Sequence, residues 1–213
     1  MQIPYHISIE GSIGVGKTSL AKILSERLDA KLILEEFEEN PFLIEFYNNP
    51  QRYAFQTQLF FLLSRYKQQQ QLQQTDLFTK TLISDYMFIK DRLFAALNLN
   101  DKEMSLYNSV AQILEKTVSN PDMVIFLQSD TDRLMQNIEL RGREYEKMID
   151  WKYIDALNQM YNEYFFRYDS SPLLIINTND IDFVNNKNEL EEILDFIRTP
   201  SQGTRYYNPI RSI

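Results

Sequence analysis

The segment Gly11-Ser12-Ile13-Gly14-Val15-Gly16-Lys17-Thr18 constrains this chain more than any other. It follows a short aliphatic run, His6–Glu10, and opens a helical pattern at Lys17, so it reads as strand, tight loop and helix in succession. Glycines let such a backbone wrap closely with its N–H groups turned inward, and the helix behind adds its positive end. A group of phosphate size and charge is what the loop encloses. Lys17 is placed to reach the β- and γ-phosphates of a nucleoside triphosphate, and the Thr18 hydroxyl is placed for Mg²⁺. Three of the chain's five glycines lie here, so the pattern is not a by-product of a glycine-rich composition.

A strand feeding a phosphate loop demands a parallel sheet around it, and the rest of the chain supplies one. Short aliphatic runs at Lys31–Leu34, Thr81–Asp85, Met123–Leu127 and Leu173–Asn177 join His6–Glu10 to predict a five-stranded parallel sheet flanked by helices. Helical patterns begin near Lys17, Pro41, Lys90, Lys102, Thr131 and Trp151, and a last one spans Asn188–Arg198 before Thr199-Pro200. The turn Asn120-Pro121-Asp122 introduces the fourth strand. Residues 1–200 read as one α/β domain, with 201–213 as an irregular tail whose Tyr206 and Tyr207 can dock on the body. The glutamine tract Gln68–Gln74 reads as a solvated helix face rather than an interaction tract.

The net charge of −8 argues against nucleic acid and anionic membranes as partners, because no basic excess exists to release counterions. No apolar run approaches the length of a membrane span, and Met1–His6 lacks the basic start and apolar stretch of a signal peptide. With no cysteine and a single histidine, His6, thiolate nucleophiles, disulfides and Cys/His zinc sites are excluded. A cytoplasmic location is the expectation.

What accepts the phosphate is read from the carboxyl ends of the strands, where parallel sheets bind their ligands. The second strand ends at Glu35-Glu36 and the third at Ser84-Asp85, so both acidic positions project toward Lys17. One carboxylate there can take a proton from an attacking hydroxyl, and another can hold Mg²⁺. The alternative for Glu35 and Glu36 is a charged loop start, since Glu38 and Glu39 follow. In Leu140-Arg141-Gly142-Arg143-Glu144-Tyr145-Glu146, two arginines flank a glycine at a helix end, which suits either a phosphate-clamping lid or a basic helix terminus facing its own dipole.

Taken together, these motifs resemble the deoxynucleoside kinase family, and most of all its bacterial deoxyadenosine/deoxyguanosine branch, from the first strand to about Phe183. The resemblance implies ATP bound along Gly11–Ser19 and at Asp182 and Phe183, with Mg²⁺ at Thr18 and Asp85. It implies that Glu35 is the general base for the sugar 5′-hydroxyl, with Lys17, Arg141, Arg143 and Asp85 completing the catalytic set. Tyr47 and Glu146 match the pair at the 3′-hydroxyl. Gln58, Arg65, Asp91 and Phe94 match the residues that read and stack on the base, and the Arg–Asp combination fits a purine or deoxycytidine better than thymidine. It further implies a homodimer. The chain departs from the family in two places: Tyr86 and Asn137 stand where arginines are usual, and Lys147, Arg133 or Lys90 are the candidates to supply the missing charge. A nucleoside monophosphate kinase shares the loop and lid but needs extra cations for the acceptor phosphate, where Glu35–Glu39 is acidic. A GTP-dependent switch is suggested only by Asn186-Lys187-Asn188-Glu189, at the start of the last helix rather than after a buried strand.

Overall fold

In the computed structural model, residues 3–73, 80–199 and 202–208 are described. Residues 1–2, 74–79, 200–201 and 209–213, on which parts of the tract and tail expectations fall, lie outside them. Strands β1 (His6–Glu10), β2 (Lys31–Ile33), β3 (Leu82–Ser84), β4 (Met123–Gln128), β5 (Leu173–Asn177) and β6 (Thr204–Tyr207) form one sheet in the order β2-β3-β1-β4-β5-β6. Every pairing is parallel. The helices are α1 (Lys17–Leu28), α2 (Leu43–Asn48), α3 (Pro50–Gln73), α4 (Lys90–Asn98), α5 (Asp101–Glu115), α6 (Thr131–Arg141), α7 (Trp151–Phe166) and α8 (Lys187–Arg198).

Period-two alternation sends the strand side chains into two cores. Ile7, Ile9, Ile125, Leu127, Leu174 and Ile176 pack with α1, α6 and α8, where Leu20, Leu24, Leu134, Ile193 and Leu194 are buried. On the other face Val124, Phe126, Leu173 and Ile175 meet Leu93 of α4 and Leu157, Tyr161 and Phe165 of α7. A third cluster joins Leu62 of α3 to Ala95 of α4 and Tyr107 and Ala111 of α5. Helices on both faces are what an all-parallel sheet requires, since both faces are apolar.

The sequence expectations need correction at four points. The sheet has six strands: the segment expected as an irregular tail adds β6 beside β5, in the register Leu173↔Thr204 to Ile176↔Tyr207. Tyr207 is buried there and its hydroxyl donates to Glu192 at 2.6 Å, whereas Tyr206 points outward. The single helix expected near Pro41 is two, because the chain breaks at Asn49 and restarts with Pro50 at the first helical position, where its missing N–H costs nothing. Finally, Gln68 and Gln69 are buried rather than solvated, and the Gln68 amide donates to the Leu34 carbonyl at 3.3 Å. That part of α3 lies under the exit of β2, so its polar residues serve as internal partners.

Candidate active site

The phosphate loop connects β1 to α1 at the carboxyl edge of the sheet. Gly14 has φ 85°, and a Cβ there would stand 2.6 Å from the Leu134 carbonyl oxygen, so no other residue fits without displacing α6. Gly16, also left-handed, precedes the first turn of α1, and the Phe183 ring packs 3.3 Å from where its Cβ would be. Lys17 donates to the Gly11 and Ser12 carbonyls at 2.8 and 2.9 Å. Burial and the neighbouring Lys90 ammonium lower its pKa to about 8.

From this loop a connected set of polar groups runs into the cleft. The Thr18 hydroxyl donates to Asp85 at 2.6 Å, and the other Asp85 oxygen accepts the Glu35 backbone N–H at 2.8 Å. Asp85 follows β3 and Glu35 follows β2, so the adjacency of those strands brings the two acids together. The Glu35 carboxylate accepts from Arg65 on one oxygen and from Lys90 on the other. Burial alone pushes this carboxyl up, but the two cations outweigh it and hold Glu35 well below the usual carboxylate range. Arg65 also donates to Asp91 at the start of α4. Burial pushes the Asp91 carboxyl up to about 7 despite the guanidinium beside it. Arg65 and Asp91 are both almost wholly inaccessible to solvent.

The cleft is lined by Lys17, Thr18, Glu35, Tyr47, Gln58, Arg65, Asp85, Phe94, Arg141, Arg143 and Glu146, among others. It opens past Gly14, Gly16 and Ser19 along the phosphate loop, where Glu36, Glu38 and Glu39 form the opposite wall. At the lid, Arg141 pairs with Glu146 through two hydrogen bonds, at 2.6 and 3.0 Å, and Arg143 reaches the same carboxylate at 3.4 Å while lying 4.3 Å over Phe37. Gly142, left-handed at the end of α6, turns the chain so that both arginines and Glu146 converge. Leu43 and Phe46 of α2 are buried, which turns Tyr47 toward the cleft, where it stacks on Tyr145 at 5.9 Å. Burial, then the neighbouring Tyr153 and Glu146, raises the Tyr47 pKa well above the ordinary tyrosine value, so its hydroxyl is neutral.

A family model described as "Deoxynucleoside kinase" matches residues 7–200. The chain belongs to the deoxynucleoside kinase family. It is 34% identical over 199 residues to a deoxyguanosine kinase of Bacillus subtilis (strain 168), covering 90% of this chain and 95% of that protein. It is 31% identical over 199 residues to a deoxyadenosine/deoxycytidine kinase of the same organism, covering 90% of each. A deoxyadenosine kinase of Dictyostelium discoideum is 32% identical over 208 residues, covering 96% of this chain and 82% of that one. The fold is shared with a deoxyadenosine kinase from M. mycoides solved with bound dATP, at TM-score 0.80 and 24% identity, covering 91% of this chain and 100% of that chain.

Against the deoxynucleoside kinase pattern, the two departures have structural answers. Tyr86, where an arginine is usual, is fully buried and its carbonyl accepts from Ser8 and Ser84. Of the three candidate replacements, Lys90 alone is paired with Glu35; Lys147 pairs with Glu144 on the surface, and Arg133 does not line the cleft. Asn137 donates its amide to the Gly14 carbonyl at 2.8 Å, buttressing the loop rather than presenting charge. Asp182 and Phe183 do not line the cleft: Asp182 closes a turn by accepting from the Asn185 backbone and amide, and Phe183 packs beneath Gly16. Asn186 caps α8 by accepting from the Asn188 and Glu189 backbone, which accounts for the segment that resembled a guanine-reading motif. Phe37, Phe61 and Tyr145 line the cleft without having been singled out in the sequence. Their only signal was aromatic content beside candidate polar residues.

Proposed function

We propose that this kinase transfers the γ-phosphoryl group of ATP to the 5′-hydroxyl of a purine deoxynucleoside. One observation supports this most: Glu35 stands between the phosphate loop and the pocket bearing Arg65 and Asp91, linked to the loop through Asp85, which accepts from the Glu35 backbone and from Thr18, and to the pocket through Arg65. A hydroxyl delivered from that pocket meets the triphosphate at Glu35, which takes its proton as the oxygen attacks phosphorus. Lys17, with Arg141 and Arg143 from the lid, stabilises charge on the transferring group. Tyr47 and Glu146 hold the 3′-hydroxyl, while Gln58, Arg65, Asp91 and Phe94 engage the base. The purine preference draws on the relatives named for deoxyguanosine and deoxyadenosine. The adjacent Thr18 hydroxyl and Asp85 carboxylate are the hard oxygen donors that Mg²⁺ takes alongside phosphates and water, and the ion would neutralise charge between the β- and γ-phosphates. Purified protein with ATP and each of the four deoxynucleosides is the direct test. Monophosphate from deoxyadenosine or deoxyguanosine at the highest kcat/KM is expected; turnover of none of the four would sink the reading.

Lys17 sets an alkaline limit. The protonated amine is the active form, and its pKa is lowered to about 8, so kcat/KM is expected to fall as pH rises through that value. A bound triphosphate favours the ammonium, so the limb in kcat should lie at higher pH. A kcat/KM that stays level to about pH 10 would rule Lys17 out as the titrating group.

Tyr47→Phe removes one hydroxyl from the proposed sugar site. Loss of a hydrogen bond of about 1.4 kcal/mol predicts a deoxynucleoside KM about tenfold higher, with the ATP KM unchanged. The variant should no longer distinguish a 3′-deoxy analogue from the normal substrate as wild type does. An equal penalty on the analogue in both proteins would place Tyr47 outside the 3′-hydroxyl site.

A further inference from the structure

Strand β1 carries two buried polar side chains, Ser8 and Glu10, alternating with Ile7 and Ile9 on the opposite face. Both grip the same peptide group. The Ser8 hydroxyl donates to the Tyr86 carbonyl at 2.8 Å, the Ser84 hydroxyl donates to it as well at 2.9 Å, and Glu10 accepts the N–H of Met87 on the other side of that peptide. This peptide lies one residue past Asp85, and Asp85 is the residue that holds Thr18 and the Glu35 backbone. The second Glu10 oxygen accepts the N–H of Gly11, the first residue of the phosphate loop, at 3.2 Å. A single carboxylate, fully shielded from solvent, therefore fastens the start of the loop to the segment that carries Asp85.

Burial raises the Glu10 pKa, and the nearby Lys90 and Lys17 offset part of that rise. Buried carboxylates are retained when both oxygens are used and cations stand near, because an uncompensated one is costly. Lys90 binds Glu35 on its far side, so charges alternate from Glu10 through Lys90 to Glu35, Arg65 and Asp91. Nothing in the proposed chemistry requires Glu10 to meet a substrate, and it does not line the cleft.

We propose that Glu10 is a positioning residue for phosphoryl transfer: by holding the Gly11 and Met87 N–H groups on one carboxylate, it sets the distance between the phosphate loop and the segment that carries Asp85. The inference rests on the kinase reading above and extends it to a residue outside the cleft. Two substitutions test that geometry. Glu10→Gln keeps the length but replaces one acceptor with an NH₂ group, which cannot accept from Gly11 and Met87 together, and it removes the charge. Glu10→Asp keeps the charge and withdraws the carboxylate by one methylene.

Glu10→Gln should be folded by circular dichroism and lower kcat by about 10- to 100-fold, the scale on which small misplacements act, with the deoxynucleoside KM within about threefold. Glu10→Asp should also lower kcat with the KM held; if Glu10→Gln does not fold, this variant carries the test. A lower Tm with wild-type kcat in both variants, or wild-type kcat in Glu10→Asp, would overturn the proposal. Calorimetric titration with ATP in the absence of any nucleoside separates this from the kinase reading. If wild type turns over no deoxynucleoside, that reading fails by itself, while Glu10→Gln must still bind ATP at least about tenfold more weakly, because the start of the loop is no longer held. Equal ATP affinity overturns the role of Glu10.

Discussion

Glu35→Gln is expected to lower kcat by about 10³-fold, within the range general-base catalysis contributes. The other two acids of this network are turned elsewhere: Asp85 faces Thr18 and the Glu35 backbone, and Asp91 lies beyond Arg65. Glu35, by contrast, is held ionised: burial raises its pKa, and Arg65 and Lys90 more than reverse that. Its depressed pKa makes it a weaker base in the ground state, but it is charged and oriented at every working pH. The Gln side chain keeps the shape and can still accept from one cation, so ATP and nucleoside should bind within about tenfold of wild type, whereas the chemical step slows. Single-turnover quench measurements would read that step directly. A kcat within tenfold of wild type would remove Glu35 from the base role and leave it as a structural partner of Arg65 and Lys90. The substitution should also lower Tm, because it strips a buried counter-charge from two cations. Sign follows from the shift: a carboxylate held below its ordinary value of 4.5 contributes stability above that pH and loses it only in strong acid, so the Tm difference should be fully present at neutral pH.

The parts of this site that local pattern determines were readable in the sequence. The phosphate loop is contiguous, and its three glycines take positive φ, so Gly11 to Thr18 was legible as a local pattern even though Leu127 and Leu134 add steric demands of their own. Glu35 and Asp85 were readable because they close aliphatic runs, and parallel sheets place such positions together. Strand β6 was not. Thr204-Arg205-Tyr206-Tyr207 offers two residues to each face, too short for alternation to register, and its pairing with β5 is decided by Tyr207 packing into a core built by distant helices. Gln68 looked solvated because polarity alone says nothing about a carbonyl waiting across a fold. The functions of Lys90 and Glu10 are likewise contact properties. Each is an ordinary charge in sequence, and only the meeting of β1, β2, β3, α3 and α4 shows which charge opposes which.

Arg65→Met should be the most destabilising single change at the site. Arg65 is shared by Glu35 and Asp91, with its side chain 4% exposed and Asp91's 1% exposed. Removing one member of a buried ion pair costs about 3–5 kcal/mol, because the partner's charge is left without compensation. For a domain of this size that corresponds to a Tm lower by roughly 6–20 °C. Arg92, one residue along α4 from Asp91, makes a bidentate pair with Glu115 at 2.6 and 2.9 Å, but both side chains are about a third exposed. Arg92→Met should therefore cost no more than about 1 kcal/mol, and the contrast measures burial rather than the count of hydrogen bonds. The pH dependence of Arg65→Met has a definite sign. Asp91 already titrates at about 7 because burial raises it, and without the guanidinium it rises further. A carboxyl whose folded pKa exceeds its unfolded value keeps a proton that the unfolded chain releases. Its stability is thus present below the unfolded value of 3.8 and is lost as pH rises through the folded value. The Tm of Arg65→Met should accordingly be higher at about pH 5 than at about pH 8, with a steeper fall than in wild type, as followed by calorimetry across that range. A deficit that is the same at both ends would mean that Asp91 is not the group left stranded, and that Arg65 acts on stability through Glu35 alone.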